Sequence, residues 1–135
     1  MARVASNILV DTDALVATIK EDDSNHKKAI AIDKKFKNST YYITPFTIPE
    51  TATVLSNKMS QKTAKEFLSK ARIENFVEVP LTPDLVREAD QIFVSQNKKG
   101  TSWIDCLNVA VVRSKKLDGI FSFDKFYQKL GLKTY

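Results

Sequence analysis

Asp11, Glu50, Asp105 and Asp124 are the residues of this 135-residue sequence whose type and placement suit chemistry. Each lies where a short apolar run, or the turn after one, gives way to a segment with helical periodicity. In a parallel α/β sheet such junctions gather along one edge, outside the carboxyl ends of the strands, where this architecture keeps its active sites. Carboxylates far apart in sequence could therefore meet. Four of them at one edge would repel one another and raise their pKa values unless a cation sat among them. Mg²⁺ or Mn²⁺ suits an oxygen-only donor set and keeps coordination positions for a substrate phosphate. The implied reaction is hydrolysis of a phosphodiester, with the cation lowering the pKa of a bound water and offsetting charge on the scissile phosphate. No protein nucleophile is required.

Each acid also has an ordinary explanation, because Asp and Glu near helix N-termini accept orphan backbone N–H groups and complement the macrodipole. Ser102-Trp103-Ile104-Asp105 matches a capping box in residue type. Pro49-Glu50 reads as a first helical turn, and Asp124 before Lys125-Phe126-Tyr127 as an N-cap. Asp11 ends an apolar strand and is followed by Thr12 and Asp13. Asp13 is expected to cap the helix and leave Asp11 for chemistry.

The elements that must position these acids follow from periodicity. Strands are expected near residues 7–11, 41–43, 76–79 and 120–123, all short and rich in β-branched or aromatic residues. Between them lie helical patterns. Leu85, Val86, Ala89, Ile92 and Phe93 share one face, with Thr82-Pro83 before it and Gly100 beyond its end. Ser60 heads a second surface helix with Ala64, Phe67, Leu68 and Ala71 on one side. Trp103 to Val112 is apolar nearly all round, as expected of a buried helix, and Asp105 is the exception on it. Strands alternating with helices predict an α/β fold with a parallel sheet covered on both faces.

Hydrophobic residues make up 43% of the chain, enough for one ordinary core, so residues 1–135 are expected to form a single domain. Lys and Arg number 21 against 16 Asp and Glu, a net charge of +5 that favours an anionic partner such as nucleic acid. One cysteine, Cys106, allows no internal disulfide, and one histidine, His26, allows no multi-histidine metal site. A reducing cytoplasm is the natural setting. The apolar N-terminal stretch is broken by Asp11 and Asp13, unlike a signal peptide or membrane span, so a soluble protein with no membrane partner is expected.

Lysines cluster at positions 27, 28, 34, 35 and 37, and Arg113, Lys115 and Lys116 end the apolar helix. Solvated helix faces and cations near helix C-termini explain such clusters without a ligand. Lys98-Lys99, just before the Asp105 junction, is the preferred substrate contact. Tyr41 and Tyr42 open a strand, so at least one should pack inward. Trp103 reads as a core or interface residue, and His26 as a surface one.

Ile8-Leu9-Val10-Asp11-Thr12-Asp13, Ile48-Pro49-Glu50, Trp103-Ile104-Asp105-Cys106-Leu107-Asn108 and Ile120-Phe121-Ser122-Phe123-Asp124-Lys125-Phe126 together resemble the PIN domain family. The resemblance spans nearly the whole chain and implies an α/β/α sandwich around a central parallel sheet. It implies an endoribonuclease in which an acidic cluster binds Mg²⁺ or Mn²⁺. Asp11 and Asp105 match the principal metal-binding acids, Glu50 the acid after the second strand, and Asp124 the acid after the fourth. Ser102 and Ser122 match hydroxyl positions beside the site, and Asp13 supports it from behind. Asp13 stands where many relatives carry Asn, and Cys106 where a small residue is frequent. A free-standing domain of this length resembles the VapC toxin of a VapBC toxin–antitoxin pair, which implies a small antitoxin protein as partner and a homodimer.

Three rivals differ in chemistry or class. A PIN-type RNA-processing nuclease outside a toxin system would share the acids. A haloacid-dehalogenase-type phosphatase would use Asp11-Thr12-Asp13, but Ala14 stands where that family carries glycine, and no Gly-Asp-x-x-x-Asp motif exists. A non-catalytic RNA-binding or interaction domain would keep the fold, and intact acids argue against it. Glycine occurs only at 100, 119 and 131, so glycine-rich phosphate loops are missing.

Overall fold

Asn7-Ile8-Leu9-Val10 forms the central strand of the structure, a computed structural model that describes residues 5–135. In chain order the elements are β1 (Asn7–Val10), α1 (Thr12–Ile19), α2 (His26–Lys35), β2 (Thr40–Ile43), α3 (Thr47–Lys58) and α4 (Gln61–Ile73). There follow β3 (Val77–Glu78), α5 (Pro83–Val94), α6 (Trp103–Ser114), β4 (Gly119–Phe121) and α7 (Phe126–Lys129). The four strands form one parallel sheet in the order β3-β2-β1-β4. In register, Ile8 stands beside Tyr41 on one side and Gly119 on the other.

Alternation along β1 divides the core into two layers. Ile8 and Val10 face a cluster with Ala14, Val16, Ala29, Ile48, Leu55, Phe67 and Ala71, from α1 to α4. Leu9 faces the opposite cluster, with Leu85, Ala89, Ile92, Leu107, Val109, Val111 and Tyr127 from α5, α6 and α7. The result is the α/β/α sandwich with a central parallel sheet. Tyr41 packs partly against the first cluster and Tyr42 against the second, so β2 uses one tyrosine on each face.

Local chemistry sets the helix starts. Ser60 Oγ accepts from the Thr63 N–H at 3.0 Å, and Thr82 Oγ1 from the Leu85 N–H at 3.2 Å with Pro83 opening the helix. Cys106 to Val112 of α6 are all buried, as its apolar circumference requires. The outer edge of β4 is covered by the C-terminal segment, where Ile120 bridges Thr134 and Tyr135 packs edge-on against Phe36. That segment crosses so close to Gly119 that a Cβ there would lie 2.5 Å from the Lys133 carbonyl oxygen. Among the described residues no helix is long and apolar enough to cross a membrane.

The strands are shorter than their apolar runs suggest. Asp11 leaves β1 as the extended N-cap residue of α1, and Ser122 and Phe123 leave β4 to make hydrogen bonds at the sheet edge. Val79 lies past β3, yet its N–H still donates to the Ile43 carbonyl at 2.8 Å.

Candidate active site

Asp11 emerges at the carboxyl end of β1, its N–H held by the Phe121 carbonyl at 3.1 Å. Its carboxylate is 7% exposed and surrounded by donors. Oδ1 accepts from the Thr12 N–H at 2.8 Å and from Asn108 Nδ2 at 3.3 Å; Oδ2 lies 3.1 Å from Ser122 Oγ and 2.9 Å from the Tyr127 hydroxyl. Asp11 is therefore the cap of α1. The expectation that Asp13 would do this is reversed: Asp13 points to the end of β4, where Oδ2 accepts from the Phe123 N–H at 2.9 Å. In the first turn of α1 its side chain projects across the sheet edge, while Asp11, the extended residue before the helix, folds back on the Thr12 N–H.

Asp105 arrives from the first turn of α6, where Ser102 Oγ accepts its N–H at 3.3 Å. Half of the capping box forms; the Asp105 carboxylate turns instead to the Tyr127 hydroxyl, 3.0 Å from Oδ1. Tyr127, wholly buried, thus stands between Asp11 and Asp105, and Asn108 Nδ2 donates to its oxygen at 3.0 Å. Ser122 plays the same part on the other side, with Oγ 3.1 Å from Asp11 and 3.2 Å from Asp13 while accepting the Asp124 N–H at 3.1 Å. Two hydroxyls therefore join three carboxylates in the series Asp13, Ser122, Asp11, Tyr127, Asp105.

A hydroxyl carries one hydrogen. Two hydrogens face four carboxylate contacts, so the ionised cluster lacks positive charge. Burial pushes Asp13 and Asp105 up to about 7, and the Asp11 charge adds to the shift in both. Burial also holds Asp11 above the ordinary carboxylate range, outweighing the hydrogen bonds from Tyr127, Thr12 and Ser122. The same burial, with the charges of Asp11 and Asp105, drives the Tyr127 phenol upward, so it remains a hydrogen donor. Asp13 Oδ1 is buried without a partner among the described residues, a further unbalanced oxygen.

Glu50 and Asp124 line the same cavity of about 290 Å³ as Asp11, Asp13 and Asp105. Glu50 sits in the first turn of α3, a helix tied to α1 where Thr51 Oγ1 approaches Thr12 Oγ1 at 3.5 Å. Asp124 is exposed and folds back to accept the Phe126 N–H at 2.9 Å. Lys98 and Lys99, exposed on the loop before α6, do not line this cavity, and neither does Ser102. Lys58 does, as the one basic side chain in its wall among the described residues. Glu50, Val54 and Lys58 follow at i, i+4 and i+8 on one face of α3, a signal present in the sequence. Asn108 was legible too, as a polar break one turn after Asp105 on an apolar helix; nothing in the local pattern marks Tyr127.

A larger cavity of about 640 Å³ lies on the other side of α1, between β2 and α4, and contains none of the four acids. Trp103 is half-buried, its Nε1 donating to Asp90 at 2.8 Å and its ring edge-on to Phe46. His26 is half-buried rather than on the open surface; its Nδ1 lies 2.7 Å from the Ala17 carbonyl, joining α2 to α1.

The donor set fits a hard divalent cation. Among the described residues no three His, Cys, Asp or Glu side chains close into a protein cage for a metal. Asp11 and Asp105 converge as a pair, with Glu50 and Asp124 standing further round the wall. Mg²⁺ is commonly held by one or two carboxylates with waters and substrate phosphates completing its octahedron, so a pair suffices. Added positive charge would also balance the oxygens that two hydroxyl hydrogens leave unmatched.

A family model described as PIN domain matches residues 8–132. The chain belongs to the PIN domain family. Solved structures share the fold. The VapC20 toxin of Mycobacterium tuberculosis, described as cleaving the sarcin–ricin loop, superposes with a TM-score of 0.84 at 21% identity, over 93% of this chain and 96% of that one. VapBC2 of Rickettsia felis, solved with a promoter DNA fragment, gives 0.67 at 12% identity, over 96% and 98%. DNA-bound VapBC of Salmonella typhimurium gives 0.62 at 12%, over 98% of each chain. A search of curated proteins found no match. The PIN domain here thus places two acids on one buried hydroxyl.

Proposed function

We propose that this PIN domain is a Mg²⁺- or Mn²⁺-dependent endoribonuclease and the toxin of a VapBC-type toxin–antitoxin pair. The observation that carries the reading is the meeting of Asp11 and Asp105 on the Tyr127 hydroxyl, with Glu50 and Asp124 in the same cavity wall. Asp11 and Asp105 hold the cation, and Glu50 and Asp124 orient the attacking water. When bound, the cation acidifies that water and offsets charge developing on the scissile phosphate. Ser122 braces Asp11 from the β4 side, and Asp13 holds Ser122 from α1.

A net charge of +5 around an acidic site suits a polyanion whose backbone contacts lie outside the cluster. Lys58 is eight residues beyond Glu50 on α3, about 12 Å along the helix at 1.5 Å per residue. It meets a neighbouring phosphate, and Lys98 and Lys99 serve phosphates beyond the cavity. RNA cleavage by the VapC20 toxin makes a structured RNA loop the first substrate to try. Similar folds solved within toxin–antitoxin complexes support a small antitoxin partner. Exposed Phe93 and Val94 on α5 offer a surface for a homodimer, and the single buried Cys106 suits work in the cytoplasm.

Purified protein incubated with an RNA pool and a sarcin–ricin hairpin should cut in Mg²⁺ or Mn²⁺ and stop in EDTA. RNA binding that persists unchanged in EDTA, with no turnover under any cation, would favour a binding-only domain.

A further inference from the structure

Asp11 and Asp105 are held very differently. Four donors surround the Asp11 carboxylate: the Thr12 N–H, Asn108 Nδ2, Ser122 Oγ and the Tyr127 hydroxyl. The Asp105 carboxylate has one hydrogen-bond partner among the described residues, the Tyr127 hydroxyl at 3.0 Å. Without it, the side chain of Asp105, only partly buried at the start of α6, would rotate among its rotamers.

Tyr127 is well suited to hold it still. Its ring is wholly buried in the layer formed by α5, α6 and α7, and stacks edge-on with Phe126 at 5.5 Å. Asn108, 2% exposed, uses both Nδ2 hydrogens in the same place, one on Asp11 and one on the phenolic oxygen. Because Asn108 donates into that oxygen, the phenol hydrogen is directed to the carboxylates.

We propose that Tyr127, oriented by Asn108, is the positioning residue that sets Asp105 against Asp11 for cation binding. The inference rests on the cation-site reading above and adds the residue that assembles the pair. Outer partners of ligating carboxylates fix their orientation, and losing one typically weakens metal affinity about 10- to 100-fold.

The test is direct titration of Mn²⁺ into the whole protein, with free ion read by electron paramagnetic resonance. Wild type, Tyr127→Phe, Asn108→Ala and Asp105→Asn are compared, with circular dichroism checking each fold. Tyr127→Phe keeps the buried ring and should bind Mn²⁺ about 10- to 100-fold more weakly. Asn108→Ala keeps the hydroxyl without its orienting donor and should weaken binding by less. It also carries the test should Tyr127→Phe not fold. Unchanged Mn²⁺ affinity in folded Tyr127→Phe, or in folded Asn108→Ala should Tyr127→Phe not fold, would overturn the positioning role while leaving the cation site intact. A wild type that binds no Mn²⁺, or binds it as well as Asp105→Asn does, would overturn the cation site itself.

Discussion

The Phe123 N–H donates to Asp13 Oδ2 at 2.9 Å, tying the turn after β4 to the first turn of α1. Asp11 and Asp13, with only Thr12 between them, are thereby separated in role. Asp11 faces the cavity with its oxygens shared among side chains from α6, α7 and the β4 turn. Asp13 fastens that turn in place, and with it Ser122 and Asp124.

This strut predicts different outcomes for two substitutions. Asp13→Ala removes the acceptor of the partly buried Phe123 N–H and should cost about 1 kcal/mol, the low end of the penalty for a donor left unpaired. Asp13→Asn keeps an oxygen for that donor and sheds a charge that burial disfavours, so it should retain most of the stability. Urea unfolding midpoints at pH 8 measure both. Equal losses in the two variants would mean the hydrogen bond to Phe123 is not what stabilises the turn.

The raised acids predict how stability follows pH. A carboxyl whose folded value lies above its unfolded value holds its proton more tightly when folded. Its stabilising effect is complete below the unfolded value of 3.8 and lost as pH climbs through the folded value of about 7 for Asp13 and Asp105. Metal-free protein should therefore melt lower at pH 8 than at pH 5. With roughly 3–5 °C for each 1 kcal/mol in a domain of this size, the drop should be measurable by scanning fluorimetry in EDTA. Mg²⁺ or Mn²⁺ at pH 8 should restore it. A melting temperature that is flat or rising between pH 5 and 8 in EDTA would contradict the electrostatics of the cluster.

Lys58 predicts a salt effect. Each phosphate neutralised on a single strand contributes about −0.7 to the slope of log affinity against log salt. Binding of labelled single-stranded RNA to Asp105→Asn protein, with and without Lys58→Gln, should differ in slope by about that amount. An unchanged slope would remove Lys58 from the substrate path.

Much of this arrangement is readable in the sequence because it rests on short-range rules. Asp11 interrupts an apolar run at the strand end, Asp105 and Asn108 break the apolar run from Trp103 to Val112, and Ser60 and Thr82-Pro83 mark helix starts. The rest depends on tertiary packing. β3 is two exposed residues long, too short to carry an alternation. Tyr127 reaches the acids because a four-residue helix turns its ring into the core, and no periodicity reports that. Asp11 caps α1 in place of Asp13, while still facing the cavity, because cap geometry, not acidity, decides which side chain reaches the first N–H group.

The most direct measurement is metal-dependent RNA cleavage by Asp105→Asn beside wild type, with thermal unfolding of both. Cleavage should vanish in the variant while the fold persists, and without its metal the variant should melt higher than wild type at pH 8, because one partly buried negative charge beside Asp11 is gone. Undiminished cleavage by folded Asp105→Asn would contradict the cation site and the nuclease built on it.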